Sequence, residues 1–248
     1  MDMDIDESKT AESARSFKAE DLFKAAENGD TSVFTSLSQD QLLNSLSLRN
    51  EDARSLLHVA VSYGQTEVVK ILLAGDPLKS GVNSADEEGW APIHSAASCG
   101  NDKILEILIS SGADVNLKND GGRTALHYAA SKGWLKIAEI LISHGAKINS
   151  KDKLAGCTPL HRASSTGKAK LCEFLIEEGA EIDVEDKTGQ TPLMNAVICG
   201  YNEVALLLIR HGADVDIEDK EGYTVLGRAS PDFRSILIDA AKAMQEEE

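Results

Sequence analysis

Glycine recurs at positions 89, 122, 156, 189 and 222, at intervals of 33, 34, 33 and 33 residues. A second register runs beside it, in Gly-Ala pairs beginning at 112, 145, 179 and 212. Two registers held over this distance constrain the chain more than its composition does. They require a stack of near-identical units, each contacting only its neighbours, because a unit of about 33 residues cannot bury an apolar face alone.

Each period has a physical grammar. Thr-Pro-Leu or Thr-Ala-Leu sets a hydroxyl cap before a helix, with Pro92, Pro159 and Pro192 at the first helical position, where a missing N–H costs nothing. A short alanine-rich helix follows and stops at Gly64, Gly100, Gly133, Gly167 or Gly200. A second helix carries apolar residues at i, i+3 and i+4, for example Ile104, Ile107, Leu108 and Ile137, Ile140, Leu141. A Gly-Ala turn closes it, and an acidic loop leads to the next unit. Fifteen of the 19 glycines serve these turns, leaving Gly75, Gly81, Gly121 and Gly227 and none for a phosphate cradle.

The same periodicity removes the candidate chemistry. All six histidines occupy two slots: His58, His94, His127 and His161 in the first helix, His144 and His211 before the Gly-Ala turn. Same-slot histidines on successive units do not converge on a metal or a nucleophile, so they are expected to bond local backbone. Cys99 and Cys199 also share a slot, and Cys157 and Cys172 have no metal-ligand spacing. Asp214, Asp216, Glu218 and Asp219 imitate a calcium loop, but Asp219 stands where the sharp turn needs glycine. No catalytic residue, cofactor site or metal site is expected.

At 248 residues the chain could form one large domain or two small ones, and its net charge of −16 makes nucleic acid and anionic membranes poor partners. Unpaired cysteines and the absence of a leader-like or spanning segment point to a cytosolic or nuclear protein.

Slots that recur make the stack, and slots that vary are free for contacts. One variable slot follows the finger glycine and holds Arg54, Trp90, Arg123, Cys157, Gln190 and Tyr223. The other is the pair before the inter-helix glycine: Ser62-Tyr63, Ser98-Cys99, Ser131-Lys132, Ser165-Thr166 and Ile198-Cys199. Aromatic and arginine side chains are the types that anchor protein interfaces, and Glu87 and Glu88 would meet basic residues.

The pattern D-x-x-G-x-T-P-L-H-x-A-A-x-x-G followed by G-A-D-V-N resembles the ankyrin repeat. The resemblance implies an all-α solenoid of seven helix-turn-helix units carrying β-hairpin fingers. It would span residues 17–244, between a disordered acidic tail at 1–16 and an acidic tail at 245–248. In that geometry both variable sets line one concave groove. Within that pattern, DEEGWAPIHSAASCGNDKILEILISSGADVN, TALHYAASKG and HRASSTG resemble the gankyrin family of proteasome assembly chaperones. That implies a non-enzymatic chaperone, monomeric when free, whose concave face grips the C-terminal domain of a proteasomal ATPase subunit. Its site would comprise Arg54, Tyr63, Glu87, Glu88, Trp90, Ser98, Cys99, Arg123, Lys132, Gln190 and Tyr223. The alternative is an adaptor or inhibitor of a kinase or transcription factor. The family's LxCxE stretch is replaced here by Leu193-Met194-Asn195-Ala196-Val197, which argues against a retinoblastoma-type interaction.

Overall fold

The computed structural model describes residues 17–247. Its helices are α1 (Ala19–Asn28), α2 (Thr31–Thr35), α3 (Gln39–Ser45), α4 (Leu56–Ser62), α5 (Thr66–Ala74), α6 (Pro92–Cys99), α7 (Asp102–Ser110), α8 (Ala125–Lys132), α9 (Leu135–Ser143), α10 (Pro159–Ser164), α11 (Ala169–Glu177), α12 (Pro192–Ile198), α13 (Asn202–Arg210), α14 (Val225–Arg228) and α15 (Pro231–Glu247). They stack in two rows. One runs α1, α4, α6, α8, α10, α12, α14; the other runs α2, α5, α7, α9, α11, α13, α15, each helix touching the next in its row. The core lies between the rows. Ala96, Ala97, Ala129 and Ala130 let the first row pack closely, and Ile104, Leu108, Ile137 and Leu141 fill the space from the second.

Glycine placement follows from backbone geometry. All fifteen periodic glycines have positive φ, whereas the four outside the period do not. The inter-helix glycines have a second reason. The side chain after each such glycine reaches back over the glycine of the preceding unit: Gln65 on Gly29, Trp134 on Gly100, Lys168 on Gly133 and Tyr201 on Gly167. A Cβ on Gly100 would lie 2.6 Å from the Trp134 ring.

Three features depart from the sequence expectation. Among the described residues there is no β-strand, so the expected β-hairpin fingers are turns. A turn such as the one at Asp86 is closed by two backbone bonds, Asp86 N–H to the Trp90 carbonyl and Gly89 N–H to the Asp86 carbonyl, and joined to its neighbour by one more, Glu87 N–H to the Asp52 carbonyl. The turn tightens before a ladder can form, because the side chain of its first residue accepts the N–H groups of the tip. Asp86 Oδ1 takes those of Glu88 and Trp90, and Asp186 Oδ1 those of Thr188 and Gln190. Helix α3, absent from the periodic pattern, starts at a capping box of Ser38 and Gln41. Helix α15 continues to Glu247, through most of the segment expected as a tail. The expected tail at 1–16 lies outside the described residues.

Candidate partner-binding groove

The groove is built on a scaffold of histidines. His94, His127 and their counterparts take the place of the usual Glu in a capping box: Nδ1 accepts the N–H of Ala91, Thr124 or Thr158, at 3.0 to 3.1 Å. The opposite nitrogen then carries the proton and donates forward. His58 Nε2 meets the Trp90 carbonyl at 2.9 Å, His127 that of Cys157 at 3.1 Å and His161 that of Gln190 at 3.0 Å. His94 donates instead to the carbonyl of Leu117, at 2.9 Å. The histidines therefore bond local backbone and also tie each helix to the next finger. Burial lowers the pKa of all four, that of His127 to about 4, so they are neutral at pH 7.

His58 therefore helps to fix Trp90, and around Trp90 the surface is concave. A groove of about 440 Å³ is lined by Asp52, Arg54, Ser62, Asp86, Glu87, Glu88, Trp90, Ser95, Ser98 and Cys99. The variable finger slot and the variable helix-end pair are thus brought together at the fingers of Arg54 and Trp90. The Trp90 indole is half-buried. It packs against Tyr128 of the next unit, with ring centroids 4.3 Å apart, and edge-on to His94 at 6.1 Å. Arg54 is turned inward, its guanidinium donating to the His58 carbonyl and to Ser62 Oγ. Glu87 and Glu88 are exposed at the rim, and the exposed Cys99 thiol lies 3.7 Å from the Ser62 carbonyl.

The other candidates lie outside the lining of this groove. Tyr63 is 57% exposed at the end of α4, and its hydrogen bond to Glu27 raises its phenol pKa. Lys132 is exposed at the end of α8. Arg123 is half-buried with Nε 3.6 Å from the buried carboxylate of Asp152, which Arg162 also engages. Burial alone would raise the Asp152 pKa, but the Arg162 contact and the N–H groups of Ala155 and Gly156 outweigh it and set the value at about 2. Gln190 is half-buried, its carbonyl held by His161. Tyr223 is exposed and carries the Arg228 guanidinium 4.4 Å above its ring.

Two groups escaped the sequence analysis as contributors to this surface. Tyr128 and Arg162 belong to a slot directly after the histidine, which holds Val59, Ser95, Tyr128, Arg162, Asn195 and Arg228. It varies from unit to unit, so the same criterion would have found it. Burial raises the Cys157 and Cys172 thiols to about 11, leaving them protonated, and among the described residues no cluster of His, Cys, Asp and Glu could hold a metal. No described helix is long and apolar enough to cross a membrane.

Comparison with known proteins agrees with this architecture. A family model described as ankyrin repeats matches residues 22–119, 116–186, 152–219 and 167–243. A search of curated proteins found no match. Among solved structures, the crystal structure of the ankyrin repeat domain of Bcl-3, described as a unique member of the IkappaB protein family, is similar at a TM-score of 0.75. It shares 24% identity, over 89% of this chain and 97% of that one, a likeness of fold.

Proposed function

Because the chain belongs to the ankyrin-repeat family, we propose that it is a seven-unit, non-enzymatic protein-binding module that chaperones assembly of the proteasome regulatory particle. Its partner on this reading is the C-terminal domain of a proteasomal ATPase subunit, held on the concave face. The observation that carries the proposal is the groove at Trp90. Its wall is a large aromatic side chain immobilised by Tyr128 and its rim is acidic, at the place where the gankyrin resemblance is densest in sequence. A fixed aromatic surface loses little entropy on binding, and carboxylates around it suit a basic side chain of the partner. Arg54 shapes the groove floor from within, and Lys132 extends the surface toward the next unit. Cytosol and nucleus are the proposed compartments.

Affinity capture of the tagged protein from extract, with identification of what is bound, tests this. Proteasomal ATPase subunits should be enriched by the native chain. Trp90→Ala should weaken binding of the recovered subunit by about 2 kcal/mol or more, some 30-fold, when measured well below the melting point of either form. Enrichment of a kinase or transcription factor in place of the ATPases would reassign the module as an adaptor or inhibitor.

A further inference from the structure

One finger slot inverts its charge halfway along the stack. The residue after the turn-closing Asp or Asn is Glu51, Glu87 and Asp120 in the first three fingers, then Lys153, Lys187 and Lys220 in the next three. All six side chains are exposed, and none takes part in an ion pair among the described residues. The backbone places them in one line: from Glu87 onward, the N–H of each slot residue bonds a carbonyl of the preceding finger, those of Asp52, Glu88, Gly121, Ala155 and Thr188 in turn.

Neighbouring charges strengthen each block. Asp52 and Glu88 adjoin the acidic one. Lys151 adjoins the basic one; Lys118, on the Asp120 finger, donates forward to the Lys151 carbonyl, and Arg49, on the Glu51 finger, donates back to the carbonyls of Leu46 and Leu48, so these two offset part of the acidic charge. Lys187 and Lys220 lie back along the row onto the carbonyls of Lys153 and Lys187, at 2.6 and 2.8 Å. Beneath this block Arg123 and Arg162 share the single carboxylate of Asp152, and the Nε of each has no hydrogen-bond partner. Glu185 and Glu218, one residue before the closing Asp, offset part of this charge, and Glu221 is taken by Arg228.

A row selected for stability alone would alternate in sign, since like charges on adjacent positions repel and unlike ones attract. Here like charges are adjacent, which destabilises the free molecule and suits an external complement. We infer that the finger edge is an orienting surface for a protein segment of two charge blocks, basic against Glu51, Glu87 and Asp120 and acidic against Lys153, Lys187 and Lys220. The inference rests on the chain being a protein-binding module but not on the identity of the partner. Opposed blocks steer a complementary surface into one register and repel the reversed one.

The test uses the full chain and two labelled peptides of equal composition. One carries a lysine block, a Gly/Ser linker and a glutamate block; the other alternates lysine and glutamate. Fluorescence anisotropy at low salt should show the diblock peptide bound about 10-fold more tightly. High salt should remove that preference, as should either triple variant, Lys153→Gln/Lys187→Gln/Lys220→Gln or Glu51→Gln/Glu87→Gln/Asp120→Asn. Equal binding of the two peptides, or a preference that survives both variants, would overturn the inference. Trp90→Ala should keep the diblock preference while losing the captured partner, so a failure here and a failure of the ATPase assignment are separately visible.

Discussion

Trp90 and Ala91 stand next to each other and illustrate how differently two residues of one motif are used. Trp90 is held in place as a contact surface, whereas Ala91 caps α6 without a side-chain hydrogen bond and is fully buried. The equivalent residues Thr124, Thr158 and Thr191 are equally buried, so the slot has room for a hydroxyl. Ala91→Thr should therefore raise stability by about 1 kcal/mol, read as a higher urea midpoint at unchanged slope. Glycine was the most legible residue type, because a positive φ leaves a compositional trace at a fixed period. The finger acids were the least legible. Asp86, Asp186 and Asp219 look like charge offered to a partner, yet each spends one oxygen on its own turn. Asn50 and Asn119 do the same in that slot without charge, which was the clue that hydrogen bonding is what the slot selects.

At the scale of the element, α4, α6, α8 and α10 are each joined to the next unit by a neutral imidazole, and this makes stability depend on pH. In the folded chain His127 binds its proton only near pH 4, but in the unfolded chain near pH 6.5. Between those values the unfolded state holds more protons, so stability falls as pH is lowered, and the contribution is complete above pH 6.5. His127→Gln should be less stable at pH 7, since a buried imidazole bond is lost. Its further loss between pH 7 and pH 5 should be smaller than the parent's by up to about 2 kcal/mol, as measured by urea unfolding at both values. The helices and their caps were readable from periodicity. The missing finger strands were not, because a hairpin and an Asx-closed turn need similar residues and differ only in where the backbone donors point.

For the whole molecule, the forward bonds are unevenly distributed. Met194 and Gly227 replace histidine in the last two units, and α14 is a single turn of four residues. Nearest-neighbour stacks open from their weakest interface. Hydrogen exchange at the amides of α14 and α15 should accordingly be faster than in α8 to α11; uniform protection along the stack would show that the C-terminal helix compensates. The position of the groove was legible in outline, because variable slots stand out against an invariant period. Its aromatic wall was not, because the contact between Trp90 and Tyr128 joins residues of adjacent units.

The backward overhang of Trp134, Lys168 and Tyr201 onto earlier glycines has a consequence for how such a chain can change its length. These units carry a lock, the inter-helix glycine, and next to it a key, the side chain that fits the lock of the unit before. Excising residues 134–167 would join Gly133 to Lys168, and that lysine would face Gly100 as Trp134 did. Gain or loss of material therefore preserves the match when it comes in whole periods, and a partial period leaves a key without its lock.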